Sequence, residues 1–231
     1  MGVGFRIFKQ RKVPPAEVVA AFGRYPAANI ADAMDRLNSM GPEIRRMGPP
    51  ADKALLGVAL TVRANAGDNL MIHKALDMAG PGDVIVVSNE GARTQALVGE
   101  IMYGHAKSRG IEGFVLDGPI RDVDSLDGTS LPVFACGTRP GGPFKVGPGE
   151  INIPITCGGT LVNPGDIILG DSDGVVVIPR ASASEVLAAV EELSRKDQSK
   201  VQASANGTLD RSWLDRTLAD LGCEILDRAY E

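Results

Sequence analysis

The residue types with the most chemical reach fall between positions 89 and 126. Arg121 and Asp122 stand side by side there, just after the run Gly113-Phe114-Val115-Leu116-Asp117 and framed by Gly118-Pro119. Earlier, Gly99-Glu100 lies in a helical stretch that follows a strand and a polar loop. Two strand-to-helix transitions of this kind can converge on one edge of a sheet, where α/β folds bind ligands. In most sequences an adjacent Arg-Asp pair is a plain surface ion pair. The Gly-Pro frame, and a glycine at 99 that lets backbone approach a ligand closely, point instead to a binding site.

Other chemistries have less support. Gly170-Asp171-Ser172-Asp173-Gly174 has the letters of a nucleophile elbow, which would set Ser172 on a strained strand-to-helix turn. Its flanks, 166–169 and 175–178, are both strand-like, so a hairpin turn is expected. The Gly/Pro-rich residues 137–149 lack the Gly-Lys-Ser/Thr of a phosphate loop and are expected only to connect. No Gly-x-Gly-x-x-Gly follows a strand and opens a helix, which removes the best support for a Rossmann nucleotide or methyl-donor site. Cys136, Cys157 and Cys223 are odd in number and widely spaced, and are expected as buried thiols rather than as a disulfide framework or zinc site. His73 and His105 lie in amphipathic stretches without metal-ligand spacing.

The chain that must position the pair is a mixed α/β one. Hydrophobic residues at 44% and charged residues at 23% fit a globular protein, and 28 Gly with 15 Pro suit many turns between short strands. A net charge of −5 argues against a nucleic-acid surface, and residues 6–12, a lone basic run, are expected to form a solvated arm. No stretch approaches the roughly 18–20 apolar residues of a membrane span, so a soluble cytoplasmic protein with no nucleic-acid or membrane partner is expected.

Apolar spacing predicts helices over 14–24 and 30–37, a strand over 57–63, a helix capped by Asp68 and running through 78, and a buried strand over 83–87. A helical stretch ending at 109, a strand over 113–117 and a turn entering a short helix by 126 follow. After 131 the pattern changes to short strands at 132–136, 151–156, 166–169 and 175–178, then to helices over 182–205 and 209–221. The expected organisation is a helical segment at 1–50 packed on an α/β core at 51–180, with a helical arm at 181–231, in one compact domain. The arm is long, polar and only narrowly apolar, so it is expected to pack on a neighbouring subunit.

Several motifs in order carry a resemblance. They are Gly99-Glu100-Ile101-Met102, the run from Gly113 to Asp122, Ile153-Pro154-Ile155-Thr156-Cys157-Gly158-Gly159, and Val162-Asn163-Pro164-Gly165-Asp166 leading to Gly170-Asp171-Ser172-Asp173-Gly174 and on to Pro179. Together they resemble the 4-hydroxy-4-methyl-2-oxoglutarate aldolases and the closely related regulators of ribonuclease activity A, over residues 29–180 and more loosely beyond. The resemblance implies a swivelling β/β/α-type single domain of the α/β class, with short N-terminal helices and a helical C-terminal arm. It also implies a homo-oligomer, a trimer or a dimer of trimers. Some members carry a menaquinone-methyltransferase label, which the missing methyl-donor motif does not support here.

Roles follow from the same resemblance. In the aldolases the arginine of the pair holds the pyruvyl part of the substrate, which carries over to Arg121; a planar fork suits a carboxylate as Lys would not. The aspartate holds a divalent cation, Mg2+ or Mn2+, which carries over to Asp122. Backbone amides at Gly99, Glu100, Ile101 and Met102 hold the substrate, as free amides at a helix N-terminus can. Capping alone would also allow a start at Thr94, freeing amides 95–98 instead. One carboxylate suffices for magnesium, which commonly keeps several waters. The cation would polarise the 2-oxo group, so no Schiff-base lysine is needed.

The implied activity is that of a class II pyruvate aldolase. It would cleave a small 2-oxo acid, 4-hydroxy-4-methyl-2-oxoglutarate or 4-carboxy-4-hydroxy-2-oxoadipate, to pyruvate plus pyruvate or oxaloacetate, with oxaloacetate decarboxylation on the side. The chain departs from the family at Ser125, where an acid is frequent. Asp124 is close enough to take over proton handling, although a one-residue slip on a helix turns a side chain by about 100°. Family aldolases also recruit an acid from a neighbour's C-terminal arm, for which Asp197, or else Glu192, is the candidate. Two other readings stay open: a non-enzymatic regulator that binds an RNA-degrading enzyme, and a related enolate-forming lyase or hydrolase.

Overall fold

A computed structural model describes residues 2–48, 54–127 and 130–230. The chain divides into two units, residues 1–190 and 191–231. In the first, strand β1 (Phe5–Ile7) precedes helices α1 (Ala16–Phe22) and α2 (Ala27–Ala33) and strand β2 (Arg45–Met47). An alternating run follows: β3 (Leu55–Ala64), α3 (Leu70–Met78), β4 (Asp83–Ser88), α4 (Glu100–Ser108) and β5 (Gly113–Asp117). A 3-10 turn at Val123–Leu126 leads to β6 (Val133–Ala135) and β7 (Gly149–Ile151). Two hairpins come next, β8 (Ile155–Cys157) with β9 (Thr160–Val162), and β10 (Ile167–Asp171) with β11 (Gly174–Ile178). Helix α5 spans Ala183–Ala205, and α6 (Trp213–Asp220) lies in the second unit.

Strands β3, β4, β5 and β6 lie parallel and adjacent, and β2 runs antiparallel beyond β6. On the other edge of β3, its first half pairs with β10 and its second half with β7, outside which β1 lies parallel. Alternation along each strand sends side chains to opposite faces. Leu60, Val62, Ile85, Val87, Phe114 and Leu116 pack with Ile72 and Leu76 of α3 and Met102 and Tyr103 of α4. Val84, Val86, Val115 and Phe134 pack with Ile155, Cys157 and Val162 from the β8–β9 hairpin. A third cluster joins Phe22 and Ile30 to Ile167, Leu169, Val176 and Ile178, and to Ala183, Val186 and Val190 at the start of α5.

The expected mixed α/β architecture with helical C-terminal elements is the one observed, with local differences. The basic run is not simply a solvated arm: Phe5–Ile7 is β1, Arg6 bonds Glu150, and Arg11 pairs with Asp83. The first 48 residues thus supply two strands to the sheet as well as two helices. The predicted 30–37 helix ends at Ala33, because Asp35, Arg36 and Asn38 adopt positive φ of 54°, 63° and 61°. The predicted 151–156 strand is two strands, broken where Asn152 turns to φ 58° ahead of Pro154. Of the three cysteines, Cys157 is buried, Cys136 half-buried and Cys223 exposed.

Glu150 in β7 ties three strands together. Its side chain is only 2% exposed and lies 2.5 Å from Arg6 Nε of β1, with Arg63 of β3 on its other oxygen. Burial alone would raise its pKa, but hydrogen bonds from Arg6 and the Gly4 backbone, and the charge of Arg63, outweigh it and hold the carboxyl below its ordinary 4.5. A depressed folded-state pKa contributes stability that is complete above 4.5 and is lost as pH falls through the folded value. Because both arginines stay half exposed, Glu150→Gln is expected to cost about 1–2 kcal/mol at neutral pH. Thermal melts from pH 7 to 3 check this: the acid-side loss of Tm should flatten in the variant.

Candidate active site

Strands β4 and β5 end together, with Ser88 opposite Asp117, so the loops leaving them start from one edge of the sheet. Buried Asn89 shapes the first loop by accepting from the Gly67 amide at 2.9 Å and donating to the Ala92 carbonyl at 2.8 Å. Two backbone bonds tie the loops together, Leu97 N–H to Pro119 O at 2.9 Å and Arg121 N–H to Val98 O at 3.1 Å. Helix α4 begins at Glu100, with Gly99 as its N-cap residue. The alternative start at Thr94 is not taken. The amides of Ala96 and Leu97 are committed to the carbonyls of Gly141 and Pro119 instead.

These ties set the Arg-Asp pair against the N-terminus of α4. The Glu100 amide donates to Asp122 Oδ2 at 3.1 Å, and Arg121 Nε lies 3.5 Å from the same oxygen. Both side chains remain accessible, at 41% and 43% exposure. Of the amides expected to face a substrate, that of Glu100 is engaged by Asp122 and that of Met102 turns back to the Gly99 carbonyl at 2.9 Å. Among the described residues the Gly99 and Ile101 amides carry no hydrogen bond, and they stand beside the pair. The absent side chain at 99 is a steric requirement, since a Cβ there would collide with Asp122 Oδ2 and come within 3.0 Å of Arg121 Cγ. Gly99→Ala is therefore expected to displace the pair and depress ligand binding while leaving the melting temperature nearly unchanged, which calorimetric titration beside a thermal melt would check.

Three further residues complete the surroundings. Tyr103, 1% exposed, donates its hydroxyl to the Arg121 carbonyl at 2.9 Å. Burial, then the charge of Asp122, raises its pKa, so it stays a protonated donor. A Cβ on Gly142 would sit 3.0 Å from Arg121 Nη1, so the loop over 137–148 borders the site at Gly142 rather than merely connecting. Ser125 donates both its amide and its hydroxyl to the Asp122 carbonyl, at 3.0 and 2.6 Å. The sequence reading missed Tyr103 and the 137–148 loop, and two signals could have found them: a tyrosine on a buried helix face needs a hydroxyl partner, and Pro140-Gly141-Gly142-Pro143 is a rigid, side-chain-poor segment.

Asp124 is exposed on the 3-10 turn, and among the described contacts it makes no bond to the pair. Glu192 and Asp197 belong to the second unit, where they pair with Lys196 at 2.7 Å and Lys200 at 3.4 Å. The Lys196 hydrogen bond holds the Glu192 carboxyl below its usual range. Among the described residues no group of three or more His, Cys, Asp or Glu could hold a metal. Asp122 offers one accessible carboxylate. That donor set fits a magnesium-type cation that keeps most of its water, and does not fit zinc, which takes three or four protein ligands.

Competing nucleophiles fall away. Ser172 sits in the tight β10–β11 turn between the paired Asp171 and Gly174, not at a strand-to-helix elbow. Burial pushes the Cys136 thiol up to about 12 and raises that of Cys157 well above its ordinary value, so neither is a thiolate at neutral pH. Among the described residues no helix is long and apolar enough to cross a membrane.

Comparison with known proteins gives the family of the chain. The profile of the RraA-like family, described as Aldolase/RraA, matches residues 27–177, which include the whole Arg121–Asp122 site. The chain belongs to the RraA-like family. One relative, from Halalkalibacterium halodurans, bears the name "Putative 4-hydroxy-4-methyl-2-oxoglutarate aldolase"; it is 36% identical over 203 residues, spanning 87% of this chain and 96% of that protein. Among solved structures, Streptomyces coelicolor RraAS2, described as an unusual member of the RNase ES inhibitor RraA family, superposes with a TM-score of 0.72 at 25% identity, covering 82% of this chain and 98% of its own. The RNA-processing inhibitor RraA from Thermus thermophilis gives 0.62 at 27% identity, over 67% and 93% of the two chains. The RraA-like family thus includes proteins named as aldolases and proteins named as inhibitors of RNA processing.

Proposed function

We propose that this RraA-like chain is a divalent-metal-dependent class II aldolase that cleaves a 4-hydroxy-2-oxo acid to pyruvate. The candidates are 4-hydroxy-4-methyl-2-oxoglutarate and 4-carboxy-4-hydroxy-2-oxoadipate. The observation that carries the reading is the accessible Arg121–Asp122 pair held against free amides at the start of α4. Arg121 binds the substrate carboxylate through its guanidinium fork, and the Gly99 and Ile101 amides orient it. Asp122 would hold Mg2+ or Mn2+, which when bound supplies Lewis-acid polarisation of the 2-oxo group. Oxaloacetate decarboxylation draws on the same polarisation.

The working unit in this reading is a cytoplasmic homo-oligomer, a trimer or a dimer of trimers. Its support is the second unit, where no described residue is buried and Trp213, Leu221, Ile225 and Leu226 are all exposed. Packed against another chain such a segment gains an interior, and Asp197 or Glu192 of a neighbour would then reach the site. The likeness to solved RraA inhibitors supports the alternative of a regulator that binds an RNA-degrading enzyme.

One assay separates the two. Pyruvate release is measured from a panel of 4-hydroxy-2-oxo acids, with EDTA and with added Mg2+ or Mn2+. Release that EDTA abolishes and metal restores is expected. Silence across the panel with metal present would shift the function to the regulator, and release that survives EDTA would remove the cation.

A further inference from the structure

The backbone at Asp122 is unusual. Its φ of 56° and ψ of 41° lie in the left-handed region, which residues with a Cβ rarely adopt, although aspartate tolerates it better than most. The carbonyls on either side of its Cα are both tied. Arg121 O accepts from the Tyr103 hydroxyl at 2.9 Å, and Asp122 O accepts from the Ser125 amide at 3.0 Å and its hydroxyl at 2.6 Å. The peptide plane before a residue sets its φ and the carbonyl after it sets its ψ, so these donors fix both dihedrals at Asp122. In that conformation the carboxylate turns to the start of α4, where the Glu100 amide meets Oδ2.

We propose that Tyr103 and Ser125 are positioning residues that clamp Asp122 in its left-handed conformation and so aim its carboxylate at the α4 N-terminus. Ser125 then has a defined task, which an acid in its place could not perform. An ionised carboxylate has no hydrogen to give the Asp122 carbonyl, whereas a hydroxyl does. Tyr103 performs the matching task from α4, so the helix that presents the free amides also holds the pair in register with them.

The test uses the full chain with Ser125→Ala, Tyr103→Phe, both together, and Ser125→Thr as the change that keeps the hydroxyl. Crystal structures read φ at Asp122 and the Glu100 N to Asp122 Oδ2 distance. In the double variant φ is expected to leave the positive range and the hydrogen bond to open, with Ser125→Thr unchanged. A positive φ and an intact bond in the double variant would overturn the proposal; should that variant fail to fold, the two single variants are read in the same way. The activity arm rests on the aldolase reading. There each single variant should raise the Mn2+ concentration for half-maximal pyruvate release about tenfold, with Ser125→Thr at the wild-type value. A wild-type chain that releases no pyruvate would defeat the aldolase reading, while the dihedral and the hydrogen bond would still decide the clamp.

Discussion

Asp122→Ala is expected to abolish metal-dependent pyruvate release while the protein stays folded. A cation held by one protein carboxylate loses its anchor altogether, and Lewis-acid stabilisation is worth several kcal/mol, so the loss should reach about a thousandfold. The structural cost is small because the side chain is 43% exposed and its bond partner, the Glu100 amide, can turn to water. Alanine tolerates the left-handed backbone less well than aspartate, which adds about 1 kcal/mol. Calorimetric titration with Mn2+ and a thermal melt on the same sample separate lost binding from lost fold. Full activity in this variant would remove Asp122 from the site.

The second large effect is expected at Arg121. Arg121→Lys keeps the charge but loses the planar fork, and a flexible ammonium cannot reproduce bidentate binding of a carboxylate. Gly142 and Gly99 leave the room that the arginine occupies, since a Cβ on either would come within 3.0 Å of Arg121 Nη1 or Cγ. A fall of about a hundredfold in kcat/KM is expected, with Mn2+ affinity unchanged because Asp122 is untouched. Retained metal binding with lost substrate binding would assign the two residues their separate tasks. An unchanged kcat/KM would make Arg121 an ordinary surface residue.

How much of this could be read from the sequence depended on how local each signal was. Strand β4, with Val84, Ile85, Val86 and Val87 in succession, and β5 declare themselves because strands covered on both faces are continuous apolar runs. Arg121 and Asp122 stood out through the Gly-Pro frame beside them. By contrast, β1 is three residues long and becomes a strand by pairing with Gly149–Ile151, a partner no local pattern reveals. The loop at 137–148 looked like filler because its part in the site is a close approach of Gly142 to a side chain from another loop. The commitment of the Glu100 and Met102 amides was hidden for the same reason: it depends on where Asp122 points and how tightly α4 turns, and neither is written in residue types.

The double pairing of β3 has a consequence for synthesis. Val58 of β3 faces Asp83 of β4 on one side and Ile167 of β10 on the other. The β3–β4–β5 unit can therefore assemble on the ribosome while the strand that covers the far edge of β3 is still about fifty residues from emerging, a wait of roughly 3–10 seconds at usual elongation rates. During that interval Leu55, Leu56 and Val58 belong to an open strand edge, the kind of template that recruits other nascent chains. Substitutions in β10 should accordingly be felt first in the yield of soluble protein, rising when translation is diluted or slowed after residue 171, and only later in the melting point of the molecules that finish.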